Sequence, residues 1–389
     1  MKNKVAMILL IFLLGGYSCG EQEKGVTEEK ETSIPQNTQN SPNPTIQVEH
    51  SFFFSTYGPE KLEVADFVSN YLNAMYDSSR EYRNSQWDSK ILTDQQDFFL
   101  KGGFEKGFLV QNSPQILGIR AVENNQYEVK LEIEQNGFTY KIMNLKVAFD
   151  GLNRPYFIDQ LGENLAAFET VTTEKLSFLY SEKVPRMEEL EQKMVGFNRK
   201  MANLFEKTEK SIKVIVLRDL RDYCDALGYD YMPFLTYDAQ SGGIAMPQEN
   251  ILFSANNSPY YPHELVHLYT ADYNPHYWFD EGCATYLGGS VEYPLEYHLK
   301  KIASRMDTLN FSNLPENQKL DDDTNLKYTL GGLFCKLAME EYGGKKSLFQ
   351  LLNSGKTEED FRAALKEVFD IEPKDYDVFV KEKLEKYGG

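Results

Sequence analysis

Two histidines four residues apart, His263 and His267, frame a glutamate in the segment YPHELVHLYTADYNPHYWFDEGCATYLGGS at 261–290. On a helix, residues at i and i+4 lie on one face, so both imidazoles can reach a single metal ion. Glu264 then stands beside that ion as a proton acceptor. A zinc centre that activates water takes three protein ligands and leaves one position open, and two histidines with a glutamate are an established set. Glu281, fourteen residues beyond His267, is the candidate third ligand. Between them lies Asn274-Pro275, where the residue before proline avoids helical backbone, so one helix ends and the chain can reverse. A second helix beginning near Trp278 would return the Glu281 carboxylate to the metal. The chemistry is hydrolysis: zinc lowers the pKa of water toward about 7, and a carboxylate can take the proton and later deliver it to a leaving amine.

The phrase Trp278-Phe279-Asp280-Glu281-Gly282-Cys283-Ala284 resembles the W-x-x-E-G-x-A segment of gluzincin metallopeptidases, a group that includes thermolysin-like and aminopeptidase-like families. The resemblance is strongest over 263–285 and extends more weakly across roughly 170–389. It implies a zinc peptidase with His263, His267 and Glu281 as ligands and Glu264 as general base. The interval to the third ligand is shorter than in many aminopeptidases and more like that of compact envelope-associated gluzincins. Thr285, one turn after Glu281, stands where this superfamily often places a hydrogen-bond partner for a ligand histidine, and Asp280 could serve the same need. Either residue also reads as a helix cap or a solvent-facing group. The run Tyr328-Thr329-Leu330-Gly331-Gly332-Leu333-Phe334 is similar to the downstream helix that carries an oxyanion-stabilising tyrosine, so Tyr328 is a catalytic candidate, with simple packing as the other reading. His276, in the expected reversal, reads as a loop residue or a substrate contact.

Ahead of the histidines, Gly243-Ile244-Ala245 reads either as a sheet edge on which a peptide backbone could lie or as a tight turn. Aminopeptidases of this superfamily bind the substrate amine with G-x-M-E-N. Here Ala245-Met246-Pro247-Gln248-Glu249-Asn250 only echoes that motif, which favours an endopeptidase.

The elements that must position these residues suit two domains in a chain of 389 residues. Apolar residues at Leu62, Ala65, Val68, Leu72 and Met75 recur at helical spacing. Tyr127, Val129, Leu131 and Ile133 alternate with charged residues up to Asn136-Gly137, a strong hairpin signal, after which Phe138, Tyr140 and Ile142 resume. The apolar phase then slips to Leu145, Val147 and Phe149, which predicts a bulge near Met143. One helix followed by antiparallel strands resembles, in layout, the cone-shaped domains of cystatin or nuclear transport factor. Beyond Leu165 come strands at 175–180, 212–217 and around 251–253, a long helix between Pro185 and Lys207, and a largely helical remainder. The expected fold class is α+β: an accessory domain at 50–165, then a gluzincin domain at 166–389 with a small mixed sheet and a mainly helical half.

At the start of the chain, Lys2 and Lys4 precede an apolar run from Val5 to Leu14 and then Gly15-Gly16-Tyr17-Ser18-Cys19. This pattern is a signal peptide over 1–19 and resembles the bacterial lipoprotein box, with Cys19 as the lipidated residue. Residues 20–49 are too polar to order themselves and read as a tether. The expected location is the bacterial envelope, at the outer membrane, held by the lipid. A formal charge of -18 leaves no basic surface for phosphates and excludes nucleic acid as a natural partner. A peptide or protein substrate is expected instead. Cys224, Cys283 and Cys335 are odd in number and lack C-x-x-C spacing, so they are expected to be small buried groups. Two rivals remain: a non-catalytic envelope binding protein with a structural or vestigial zinc site, and a zinc hydrolase of cell-wall peptide amides.

Overall fold

Strands of alternating polarity build the first sheet. The computed structural model describes residues 45–51, 56–77, 85–88, 106–123, 125–232, 242–247, 249–312, 314 and 319–389. Cys19, the signal peptide and most of the tether lie outside the described residues. In chain order the first elements are β1 (Glu49–His50), α1 (Pro59–Asp77), β2 (Trp87–Asp88), α2 (Lys106–Gln111), β3 (Gln115–Val122), β4 (Gln126–Gln135), β5 (Phe138–Phe149) and β6 (Pro155–Ile158). The strand order is β1-β3-β4-β5-β6-β2, antiparallel except for the short outer pairs β1–β3 and β2–β6. Helix α1 buries Val64, Ala65, Val68, Tyr71 and Leu72, and Phe67 and Tyr71 pack on Phe157 of β6.

The hairpin between β4 and β5 turns at Asn136-Gly137 as expected; the β4–β5 register shifts at Tyr140, three residues before Met143, and on the other side of β5 the pairing with Tyr229–Tyr231 shifts at Ile142 and Met143. Ile133 pairs with Lys141 and Glu134 with Thr139, which leaves Tyr140 as the extra residue. The buried phase of β5 is therefore Lys141, Met143, Leu145 and Val147. Lys141 occupies an apolar-looking position because its ammonium lies over the Tyr229 ring, 3.9 Å from the centroid.

The remaining elements are α3 (Gln160–Ala166), β7 (Glu169–Thr172), β8 (Leu176–Tyr180), α4 (Glu188–Phe205), β9 (Ile212–Leu217), α5 (Leu220–Leu227), β10 (Tyr229–Tyr231), β11 (Gly242–Met246), β12 (Ile251–Ala255), α6 (Pro262–Thr270), α7 (Tyr277–Gly288), α8 (Leu295–Ala303), α9 (Leu326–Glu340), α10 (Lys345–Leu352), α11 (Glu358–Phe369) and α12 (Tyr376–Tyr387). The whole is α+β, with two mixed sheets and twelve α-helices among the described residues. It divides into two units, the first ending at Gly162 and the second beginning at Glu163. Gly228–Met232, inside the range read from sequence as the second domain, belongs with the first unit, where β10 pairs antiparallel with β5. No described helix is long and apolar enough to cross a membrane.

In the second unit the strand order is β11-β12-β9-β8-β7, with the inner three strands parallel and both outer strands antiparallel to their neighbours. Parallel central strands are covered on both faces, which is why Ile251–Ala255 is buried throughout and β9 exposes only Lys213. Helix α4 places Met194, Phe197, Met201 and Phe205 at three- and four-residue intervals on its buried side. These residues share one core with Phe178, Val214, Leu265, Leu268, Trp278, Phe279, Leu330 and Phe334, each full burial contributing about 1.5–3 kcal/mol. Helices α7 and α9 cross at Gly282 and Gly331, where a side chain on Gly282 would come within 2.2 Å of the Gly331 backbone. Two glycines let those backbones touch, and α7 in turn packs on α6.

Candidate metal centre

Helix α6 begins with Pro262 at its first turn, a position that tolerates the missing amide hydrogen. His263, Glu264 and His267 follow, and the imidazole rings lie 5.1 Å apart between centroids. The chain leaves α6 at Ala271 and crosses Asn274-Pro275, with the Asn274 carbonyl held by the Gly355 amide at 2.9 Å. It re-enters a helix at His276, whose ring accepts from the Trp278 amide as the N-cap of α7. One turn in, Glu281 points back to the histidines.

His263 Nε2 lies 3.2 Å from Glu281 Oε2 and His267 Nε2 lies 3.6 Å from the same oxygen. The three atoms that could ligate a metal, one from each residue, fall within 4.8 Å of one another. Ligands at about 2.0–2.1 Å around a tetrahedral ion sit roughly 3.3 Å apart, so this spacing suits a small divalent cation with nitrogen and oxygen ligands.

The opposite edges of both rings are fixed. His263 Nδ1 donates to the Gly289 carbonyl at 2.7 Å, and a carbonyl can only accept, so Nδ1 carries a proton and Nε2, turned toward Glu281, is the nitrogen that a cation would take once it gives up its own proton. His267 Nδ1 bonds Asp280 Oδ1 at 3.2 Å, so Nδ1 carries a proton there too and Nε2 is the nitrogen turned toward Glu281. Asp280 is itself held by the Thr270 hydroxyl at 2.7 Å. Such partners orient a ligand ring and raise its basicity. Burial would neutralise Glu281, yet the charge of His267 and hydrogen bonds from both imidazoles outweigh it and hold the carboxyl well below the ordinary range. A cation at the same place would act in the same direction.

Glu264 lies on the inward side of α6, 9% exposed, next to the outermost strand of its sheet. Burial raises its pKa, opposed by the two histidines and by a hydrogen bond from the Ala245 amide of β11. Gly243, two residues earlier on that strand, has no room for a side chain: a Cβ would come 1.9 Å from Tyr261 and 2.6 Å from Glu264 Cγ. Gly243 and Ala245 thus border the glutamate, and Gly243-Ile244-Ala245 is strand rather than tight turn.

Tyr328, at the start of α9, stacks on His263 with centroids 6.2 Å apart and an interplanar angle of 21°. Asn325 caps that helix by accepting from the Lys327 and Tyr328 amides. Burial keeps the phenol protonated, with Glu281 and Glu264 adding to the upward shift.

The residues singled out in the sequence separate into those that converge and those that do not. His263, Glu264, His267, Asp280, Glu281 and Tyr328 converge, with Gly243 and Ala245 at the border. Thr285 is fully buried, but its hydroxyl has no hydrogen-bond partner among the described residues. The place expected for it beside a ligand histidine is taken at His263 by the Gly289 carbonyl. His276 is a helix cap, with its pKa lowered to about 4 by burial and by Lys327. Cys224, Cys283 and Cys335 are buried free thiols.

Three participants were not found from sequence. The Gly289 carbonyl leaves no side-chain signal. Tyr261 abuts Gly243, and its only sequence mark is its place before the helix. Tyr277, whose hydroxyl bonds that of Tyr328 at 3.0 Å, carries a usable one: it is four residues before Glu281, on the same helix face. No protein-family model matches this chain, and no curated protein matches it.

Proposed function

We propose that this chain is a zinc-dependent endopeptidase of gluzincin type, built as a cystatin-like cone followed by the peptidase domain, and held at the bacterial envelope by lipid on Cys19. The observation that carries this reading is the convergence of His263, His267 and Glu281 within 4.8 Å, with both imidazoles turned so that Nε2 faces the common point. Zinc, when bound there, supplies a Lewis acid that polarises the scissile carbonyl and makes water acidic enough to lose a proton near neutral pH.

The chain's own residues supply the rest. Glu264 takes the proton from the attacking water and passes it to the departing amine, so one carboxylate serves as base and then acid. A purely structural zinc site would need no such base and would close its fourth position with a protein ligand. Tyr328 stays protonated through burial and donates a hydrogen bond where negative charge develops on the carbonyl oxygen. The outer edge of β11 offers backbone groups that a peptide can join as an added strand.

Cleavage of a mixed peptide pool by the purified chain, before and after chelation and after zinc is restored, tests the reading. Internal cuts that vanish on chelation and return with zinc are expected. A chain that holds zinc tightly and cuts nothing in the pool would favour the binding-protein alternative, while cuts confined to cell-wall peptides would favour the amide-hydrolase one.

A further inference from the structure

Tyr277 is the first residue of α7 and Tyr328 lies in the first turn of α9, and their hydroxyl oxygens are 3.0 Å apart. A phenol has one proton and two lone pairs. The hydrogen bond runs from Tyr277 to Tyr328, so Tyr277 spends its proton on the Tyr328 oxygen. That leaves the single Tyr328 proton free to point elsewhere, and it removes the rotamer in which Tyr328 would donate to Tyr277. The Tyr277 ring is itself held: the Lys327 ammonium lies 4.8 Å from its centroid and 5.8 Å from that of Trp278. Lys327 is buried and is the neighbour of Tyr328 on α9, so the same short segment fixes both phenols.

We infer that Tyr277 is a positioning residue that aims the Tyr328 hydroxyl at the oxygen of the substrate carbonyl. The inference rests on the proposed peptidase reading. It assigns the two phenols different roles: Tyr328 touches the substrate, and Tyr277 acts only through Tyr328. Replacing Tyr277 by Phe keeps the ring and its contact with Lys327 while removing the proton that orders the pair. Only a hydrogen bond that strengthens as charge develops should suffer, so kcat should fall while KM stays nearly constant.

The test uses the full zinc-loaded chain and four forms: wild type, Tyr277→Phe, Tyr328→Phe and the double variant. Turnover of a peptide that the wild type cleaves is read beside the calorimetric affinity for a peptide phosphonate, whose tetrahedral oxygens mimic the reacting centre. Tyr277→Phe is expected to lower kcat about tenfold, change KM less than about twofold, and weaken phosphonate binding about tenfold, with zinc content and thermal midpoint unchanged. In the Tyr328→Phe background the same change should add nothing. Wild-type kcat and phosphonate affinity in Tyr277→Phe, or effects that simply multiply in the double variant, would overturn the positioning role. Full activity in Tyr328→Phe would instead overturn the role given to Tyr328. A wild type that binds no phosphonate when loaded with zinc would overturn the peptidase reading, and this inference with it.

Discussion

Asp280→Asn should loosen the metal without unfolding the chain. The carboxylate accepts from His267 Nδ1 at 3.2 Å and from the Thr270 hydroxyl at 2.7 Å, both on Oδ1. Asparagine keeps the shape and one acceptor oxygen, so the ring can stay in place. It loses the negative charge, and a charge-assisted hydrogen bond is roughly twice as strong as a neutral one. The imidazole then becomes a poorer electron donor and is less firmly aimed. Losing an orienting partner of this kind typically costs tenfold to a hundredfold in metal affinity, or about 1.4–2.7 kcal/mol. The assay is competition for zinc against a chromogenic chelator at constant pH, with circular dichroism to establish that each variant is folded. Thr285→Val is the control. The Thr285 hydroxyl is buried with no partner among the described residues, so its removal should leave zinc affinity unchanged and raise stability by up to about 1 kcal/mol. Wild-type zinc affinity in folded Asp280→Asn would refute the argument that Asp280 orients His267.

Glu264→Gln should bind zinc as the wild type does while kcat falls by about a hundredfold or more, read by metal analysis beside peptide turnover. Gly243→Ala would put a Cβ 1.9 Å from Tyr261 and 2.6 Å from Glu264 Cγ, so β11 or the glutamate must move. A stability loss of about 1–3 kcal/mol in urea denaturation and a lowered kcat with zinc retained are expected. His276 titrates at about 4 when folded, against 6.5 as an ordinary imidazole, so the unfolded chain takes up its proton first as pH falls. Its contribution is therefore complete above pH 6.5 and declines between pH 6.5 and about 4, by up to about 3 kcal/mol. His276→Asn, which keeps a helix-capping side chain but does not titrate, should flatten stability over that window in urea midpoints taken across it.

The convergence of His263, His267 and Glu281 was legible in their spacing, because two histidines at i and i+4 and a glutamate beyond a proline-marked reversal leave the backbone few ways to arrange them. Asp280 was legible as a candidate, and the structure distinguishes it from Thr285 only through the direction each side chain takes. The partner of His263 was not legible, since the Gly289 carbonyl is backbone and its position depends on how α7 ends. In the first unit, the alternation in β4 and the Asn136-Gly137 turn were readable, whereas the β4–β5 bulge falls at Tyr140, three residues before the place the apolar pattern points to. A buried lysine is the reason: Lys141 takes a core position that patterning assigns to an apolar neighbour, because Tyr229 from β10 lies beneath its ammonium. That strand is three residues long and paired 86 residues away, Tyr229 opposite Met143, so no local pattern announces it.

The most direct measurement is the zinc content of the full purified chain, wild type and His267→Ala, after dialysis against a zinc buffer and removal of loosely held metal. One zinc per wild-type chain and none in the folded His267→Ala variant is the predicted result. A wild-type chain that retains no zinc, or a variant that retains it equally well, would contradict the assignment of His263, His267 and Glu281 as a metal centre.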